Sequence, residues 1–277
     1  MEQTIYYYIN NKFIKSNEAT VSFSDAGFLY GDGLFETMRF NENKIFSVKT
    51  HINRLFQGLS VIDLKLKYNK IELIDLLYKV IKKNTLKSGI IRLMITRGNS
   101  DIKVGKINVP SIYISMKSFY EIPEDPVKVI YLSEQNFPII RFSPAIKSMN
   151  YLGNMLAKKE SQKQNAFEPV FYNKEGIITE CAIRNIFYIK NNTLYTPSVD
   201  LGILPGVMRD TIIDISKSIG MQIKEIHIKY CNIDAMEESF ISSTGIGLLE
   251  CFWDGWKSDY SITKQIKKEL FKRIKNN

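Results

Sequence analysis

The sequence predicts an α+β protein built in two halves, on three observations. Runs of β-forming residues and runs with helical spacing are mixed in both halves, and no regular strand–helix–strand repeat emerges. The segment 119–126, Phe-Tyr-Glu-Ile-Pro-Glu-Asp-Pro, holds two prolines and three acids without a hydrophobic period, as an inter-domain connection would. Finally, 277 residues at 44% hydrophobic content suffice for one large core or two modest ones. The expected division is an N-terminal α+β domain over 1–118, a linker over 119–126 and a C-terminal α+β domain over 127–277.

The first half opens with Ile5 to Ile9, a turn at Asn10-Asn11, then Phe13-Ile14, which reads as a hairpin. A second hairpin follows, with Leu34 to Phe40 and Lys44 to Val48 flanking Asn41-Glu42-Asn43. Thr50 is the expected N-cap of a helix from Ile52 to Leu64. Ile71, Ile74, Leu77, Tyr78 and Ile81 recur on the face of a second amphipathic helix. Strands at Gly89 to Arg97 and Ser111 to Met116 complete this half. The second half predicts strands at Val127 to Leu132, Glu168 to Tyr172, Ala182 to Ile189, Gln222 to Ile228 and Ser239 to Ser242. Its helices run from about Met149 to Gln164, from just after Pro205-Gly206, and at the C-terminal end, and Asn191-Asn192 marks another turn.

Several function classes are excluded or disfavoured. The apolar runs fall well short of the roughly 20 residues of a membrane helix, and no basic segment followed by an apolar one opens the chain, so a cytoplasmic protein without membrane contacts is expected. Cys181, Cys231 and Cys251 are odd in number and form no Cys-x-x-Cys pair, which points to three small buried residues. With only His51 and His227 besides, no metal site is expected. The net charge of +9 admits nucleic acid, an anionic membrane surface or an anionic small molecule. Lys264, Lys267, Lys268, Lys272 and Lys275, however, follow helical spacing as a wet helix face does, and no basic stripe interleaved with aromatics appears, so nucleic acid is not expected.

Lys147 precedes Ser148, an expected N-cap, which would set the amine at the positive end of a helix. Shielded from water there, it would tend to be neutral, as a Schiff-base lysine or lysine base must be. Position alone favours an ordinary surface lysine. Glu180, between Ile177-Ile178 and Ala182-Ile183, needs a cationic partner such as a protonated heterocycle, or else a salt bridge to Arg184 or a lysine. Pro205-Gly206 ahead of an apolar-periodic helix leaves free amides aimed at any anion, and Ser242-Ser243-Thr244-Gly245 adds hydroxyls directly after a strand. Arg54 is suited to a bidentate grip on phosphate. Gly31-Asp-Gly33-Leu-Phe-Glu36 and Gly245-Ile-Gly247-Leu-Leu-Glu250 both lack the third glycine of a dinucleotide fingerprint.

Taken in order, these pieces resemble the class IV aminotransferase family, the fold type IV pyridoxal-phosphate enzymes that include branched-chain aminotransferase, D-amino-acid aminotransferase and 4-amino-4-deoxychorismate lyase. The resemblance rests on SDAGFLYGDGLFETMR at 24–39, HINRL at 51–55, IRLMITRG at 91–98, KSMNYLGNMLAKKE at 147–160, EGIITECAIRNIFYI at 175–189, LYTPSVDLGILPGVMRDTII at 194–213 and ESFISSTGIGLLE at 238–250. It spans nearly the whole chain and outweighs the ordinary readings of Lys147 and Glu180.

The resemblance implies pyridoxal 5'-phosphate as cofactor, with Lys147 as the lysine that binds it covalently and as the catalytic residue. Glu180 is implied as the partner of the ring nitrogen. Arg54, the amides of Val207 and Met208, and Thr244 are implied to hold the phosphate, and Tyr151 to lie near the ring hydroxyl. It further implies a small anionic amino substrate and a homodimer. Phe35, Arg39, Arg92 and Arg97 are the substrate-binding candidates, the arginines for its carboxylates. Thr96-Arg97-Gly98 is followed by Asn99-Ser-Asp-Ile-Lys103 where typical D-amino-acid enzymes carry an Arg and His pair, and Lys147-Ser-Met-Asn-Tyr151 lacks the double glycine of branched-chain enzymes. The tight spacing, GDGLFET and TPSVDLGILPGVMR are closer to the lyases. LGNMLAKKE and Asn165-Ala-Phe-Glu168 are reminiscent of D-amino-acid enzymes. The expectation is 4-amino-4-deoxychorismate lyase, releasing pyruvate and 4-aminobenzoate, with an aminotransferase of D- or branched-chain amino acids as the alternative. Cys251-Phe-Trp-Asp-Gly-Trp256 departs from the family and is expected to reshape a pocket wall.

Overall fold

The structure is a computed structural model that describes residues 4–99, 109–119 and 121–276. Ser100 to Lys103 after the Thr-Arg-Gly block, and Tyr120 of the expected linker, lie outside the described residues. The chain divides into two compact units, one of Met1–Tyr120 with Ile146–Asn150, the other of Glu121–Ala145 with Tyr151–Asn276.

In the first unit, β1 (Tyr6–Ile9) and β2 (Lys12–Lys15) form a hairpin. Asn10 and Asn11 take φ of 43° and 70°, the left-handed pair a two-residue turn requires. After a short α1 (Ala26–Tyr30), β3 (Gly33–Asn41) turns at Glu42-Asn43 into β4 (Lys44–Ile45). The expected second arm is thus cut to two residues, because Val48 already begins α2 (Val48–Val61). Thr50 lies inside the first turn of α2 and is not its cap; Ser47 at φ 47° holds that place. In α3 (Lys70–Lys83), Asn69 and Glu72 make a capping box. Its buried stripe is Leu73, Leu76, Leu77, Val80 and Ile81, whereas Ile71 is 72% exposed: the i, i+3, i+4, i+7 leucine and valine row gives the wider apolar face.

With β5 (Ser88–Thr96) and β6 (Ser111–Lys117), the strands form an antiparallel sheet ordered β2-β1-β6-β5-β3-β4. Alternation sends Leu34, Met38 and Phe40 of β3, and Ile91, Leu93 and Ile95 of β5, into one core with the apolar faces of α2 and α3. Opposite faces of these strands carry Phe35, Thr37 and Arg39, with Arg92 facing Thr37 across the ladder.

The edge of β3 explains where Lys147 sits. Since β4 pairs only with Phe40 and Asn41, the N-terminal half of β3 has a free edge, and residues 147–149 pair there. Phe35 N donates to Lys147 O and Met149 N to Gly33 O, each at 3.0 Å. Two sequence expectations change accordingly. Lys147 belongs by its contacts to the first unit and not to a 127–277 domain, and Ser148 bridges Leu34 in extended conformation instead of capping a helix. The following helix starts only at Leu152, so the helix-terminus argument for Lys147 does not hold.

The second unit comprises β7 (Val127–Ser133), α4 (Leu152–Lys163), β8 (Glu168–Tyr172), β9 (Ile178–Cys181), β10 (Asn185–Lys190), β11 (Thr193–Pro197), α5 (Val207–Ser218), β12 (Gln222–Ile226), β13 (Glu238–Ser243), β14 (Gly247–Phe252) and α6 (Ser261–Asn276). Its eight-stranded sheet is ordered β12-β11-β10-β13-β14-β7-β8-β9 and is mixed: β11/β12, β14/β7 and β7/β8 are parallel, the other pairs antiparallel. The expected strand at Ala182 to Ile189 starts only at Asn185, as β10, and an unexpected strand, β9, precedes it. Fully buried Glu168 accepts from Ile183 N at 2.9 Å and from Arg184, and this turns the chain between them.

Cys181 and Cys251 are buried as expected, but Cys231 is exposed on a six-residue 3-10 segment. Trp253 and Trp256 stack at 4.1 Å between centroids, and their indole N–H groups donate to Asp234 and to the Met236 carbonyl. They are core residues of this unit, so the Cys251–Trp256 stretch serves packing here. Among the described residues no helix is long and apolar enough to cross a membrane, and no cluster of potential metal ligands occurs.

Candidate active site

In the first unit, pairing of Ser148 with Leu34 places Lys147 on the strand face that carries Phe35. Its Nζ lies 4.6 Å from the centroid of the Phe35 ring, and the Arg92 guanidinium lies 4.3 Å from the same centroid. Phe35 is only 6% exposed, so it is a fixed apolar platform for two cations. Arg39 shares this face, with its guanidinium 5.1 Å from the Phe119 ring. Arg97 does not join them. Its Nε and Nη2 bond Asp32, and Nη2 also reaches the Ile62 carbonyl at the end of α2, so this arginine ties a helix end to the loop before β3.

On the other face of β3, Glu36 points at α2. Arg54 donates to both of its oxygens, at 2.8 and 2.7 Å, and His51 Nδ1 lies 2.7 Å from Oε2. Burial alone would raise the Glu36 pKa, but Arg54 and His51 outweigh it and hold the carboxyl down at about 2. Burial pushes the fully enclosed His51 imidazole below its ordinary value, against the pull of Glu36. An ionised carboxylate only accepts, so the neutral ring carries its proton on Nδ1. The phosphate-type arginine expected at 54 is therefore held rigidly from behind.

In the second unit, Glu180 lies on β9 with its side chain 17% exposed. Its partner is Arg141 and not Arg184, which binds Glu168. The amide of Leu204 lies 3.3 Å from the other Glu180 oxygen. Arg141 also reaches Glu134 and, at 3.1 Å, Thr179 Oγ1. Sequence reading missed Arg141, Glu134 and Thr179, because 39 residues separate Arg141 from Glu180 and no local spacing links them.

A second polar feature of this unit lies at the start of α5. Gly206 is its N-cap and supplies no side-chain cap, so the first amides, Val207 and Met208 among them, are left to an outside acceptor. A Cβ at Gly206 would fall 2.1 Å from Asn185 Oδ1, and the Asn185 amide is itself fastened to the Leu204 carbonyl at 3.1 Å. Across the ladder from Asn185 stands Ser242, fully buried, whose Oγ has no hydrogen-bond partner. Uncapped amides, a side-chain-free approach and a buried unmatched hydroxyl fit the oxygen-rich surface of a phosphate. Thr244 follows within two residues, 9% exposed. Tyr151, half-buried, occupies the N-cap position of α4, where its carbonyl accepts from Met155 N.

Residues 33–251 match the family model described as amino-transferase class IV. A putative branched-chain-amino-acid aminotransferase of Methanocaldococcus jannaschii is 34% identical over 97% of this chain and 96% of its own length. A D-alanine aminotransferase of Listeria monocytogenes is 34% identical over 86% of this chain and 83% of its own. An aminodeoxychorismate lyase of Bacillus subtilis is 34% identical over 78% of this chain and 75% of its own. Among solved structures, the branched-chain aminotransferase of Thermoproteus uzoniensis with norvaline superposes with a TM-score of 0.88 at 23% identity, covering 98% of this chain and 95% of that one. That of Thermobaculum terrenum in its PLP form gives 0.84 at 22%, covering 99% and 95%. Both show the same fold.

Proposed function

The chain belongs to the class IV aminotransferase family, and from that premise we propose that it is a pyridoxal-phosphate aminotransferase acting on D- or branched-chain amino acids. The observation that carries the reading is the Lys147 amine held over Phe35 on the strand face that also bears Arg92 and Arg39. An amine beside fixed guanidinium groups is what proton transfer on a carboxylate-bearing amino compound requires. The relatives matched over the larger shares of the chain, 97% and 86%, are aminotransferases, against 78% for the lyase. That ordering moves the lyase expected on sequence grounds to second place.

When bound, pyridoxal phosphate supplies an aldehyde for the amino group and a ring that draws off the electrons of the broken C–H bond. Lys147 would hold the cofactor covalently, and its amine, when free, would move a proton from and to the carbon bearing nitrogen. Glu180 would keep a proton on the ring nitrogen. The amides of Val207 and Met208, the hydroxyls of Ser242 and Thr244, and Arg54 would hold the phosphate. Tyr151 would lie near the ring hydroxyl. Arg92 and Arg39 grip substrate carboxylates, and Phe35 keeps their side of the site dry.

A homodimer belongs to the same reading. Phe23, Phe28 and Tyr30 are 81%, 64% and 60% exposed around α1, an apolar surface that a second copy would cover. Sedimentation of the purified protein tests it.

The test of the reaction is product analysis. Protein loaded with pyridoxal phosphate is given D-alanine, L-leucine or L-valine with 2-oxoglutarate, and separately 4-amino-4-deoxychorismate without an oxo acid. Formation of glutamate in the first assay alone supports the aminotransferase. Release of 4-aminobenzoate with pyruvate in the second moves the assignment to the lyase, whose support is the Bacillus subtilis relative.

A further inference from the structure

Glu180 does not stand alone on β9. One of its oxygens takes Nη1 of Arg141, while Nη2 of the same guanidinium reaches Glu134 and Thr179 Oγ1. Thr179 in turn donates to Glu134 at 2.6 Å, so the guanidinium, the Glu134 carboxylate and the Thr179 hydroxyl close a ring of contacts to which Glu180 is joined through Arg141. The Arg141 side chain is 22% exposed, and its Nε is buried without a hydrogen-bond partner. An arginine accepts an unmatched donor when the contacts at its other nitrogens fix it in place. Burial alone would make its charge less favourable, yet Glu180 and Glu134 together raise its pKa above the ordinary value.

The fork has a geometric and an electrostatic consequence. Together with the Leu204 amide on the other oxygen it fixes the plane of the Glu180 carboxylate, since the guanidinium is itself pinned by Glu134 and Thr179. It also places one positive charge against two carboxylates, each 17% exposed. A carboxylate that must keep a proton on a neighbouring nitrogen has to stay ionised itself.

We propose that Arg141 is the positioning residue for Glu180: bridged to Glu134 and Thr179, it keeps Glu180 ionised and aimed, and thereby sets the protonation of the cofactor's ring nitrogen. The inference rests on the assignment of Glu180 to that nitrogen made above. Arg141 acts only through Glu180 and has no role at the reacting carbon.

The test uses the full chain loaded with pyridoxal phosphate labelled with nitrogen-15 in its ring, and reads the ring-nitrogen chemical shift against pH, together with kcat and KM. Glu180→Gln tests the underlying assignment, and Arg141→Met and Arg141→Lys test the inference. Thermal melting of each apoprotein monitors folding. The expected result is that Glu180→Gln moves the shift toward unprotonated pyridine. Arg141→Met moves it in the same direction and lowers kcat about tenfold or more with KM little changed, because one unit in proton affinity is a tenfold change in equilibrium. Arg141→Lys, which keeps the charge without the fork, falls between. Should Arg141→Met lower the melting temperature while the shift and its pH dependence stay as in the parent, Arg141 is structural and the proposal fails alone. An unmoved shift in Glu180→Gln overturns the assignment of Glu180 itself. If Arg141→Met does not fold, the Lys variant decides: a parent-like shift overturns the proposal, a displaced one supports it.

Discussion

Arg54 grips Glu36 with two hydrogen bonds, Nε to Oε1 at 2.8 Å and Nη2 to Oε2 at 2.7 Å, on a carboxylate only 1% exposed. Such a buried pair is sensitive to removal of either member, since the survivor keeps an uncompensated charge.

Glu36→Gln is expected to destabilise the protein by about 3 kcal/mol and to weaken cofactor binding through a loosened Arg54. Denaturant unfolding and cofactor titration check the two effects. The pH dependence has one sign for both buried groups. Glu36 is held at about 2 against an ordinary 4.5, and His51 is held below 6.5, so the unfolded chain binds more protons than the folded one as pH falls. Their stabilisation is complete above about pH 6.5, begins to fade below it as His51 would charge on unfolding, and is lost through Glu36 between about 4.5 and about 2. A stability curve that stays flat from pH 7 to 3 would contradict this account.

Gly33→Ala should release the segment that carries Lys147. The added Cβ would fall 2.6 Å from the Ile95 carbonyl oxygen and 3.0 Å from Met149 Sδ, and the first of these is backbone that a rotamer change cannot relieve. A stability loss of about 1–3 kcal/mol is expected, with a larger relative loss in covalent cofactor attachment than in melting temperature. Equal cofactor affinity in the variant and the parent would show that the strand pairing does not place Lys147.

Lys147→Ala removes the amine but leaves the pairing of 147–149 with β3, which is made by backbone groups. The variant should fold as the parent does and lose both the visible band of the covalently held cofactor and turnover. Retained turnover would refute the catalytic assignment.

The three candidate arginines should separate by kind of defect. Arg92→Met and Arg39→Met are expected to raise KM for carboxylate-bearing substrates about tenfold or more, the loss of a charge-assisted contact. Arg97→Met should instead lower stability by about 1 kcal/mol through the lost Asp32 and Ile62 contacts, with KM nearly unchanged. Steady-state kinetics beside urea melts distinguish the two patterns.

Most elements were legible because their signals are local. Asn-Asn at 10–11 and 191–192 takes positive φ at all four positions, and the Pro205-Gly206 punctuation stands directly ahead of α5. Where signals failed, tertiary contacts decided. No local signal marks β9, and β10 begins later than its run of β-forming residues, because Glu168, more than ten residues upstream, reels in Ile183 and Arg184. Ser148 carries the side chain of a good helix cap, yet the free edge of β3 offers its backbone partners first.

By itself the sequence determined the α+β class and the family, and it put forward Lys147, Glu180 and Arg54 as candidate site residues, since these readings depend on residue type at a motif position. Only the tertiary structure decided which unit holds Lys147, which arginine Glu180 meets, and which of Arg39, Arg92 and Arg97 shares a face with the amine. The physical reason is separation along the chain. Pairing of Leu34 with Ser148, of Arg141 with Glu180 and of Glu36 with Arg54 joins residues 114, 39 and 18 positions apart, and no local periodicity encodes a partner at such distances.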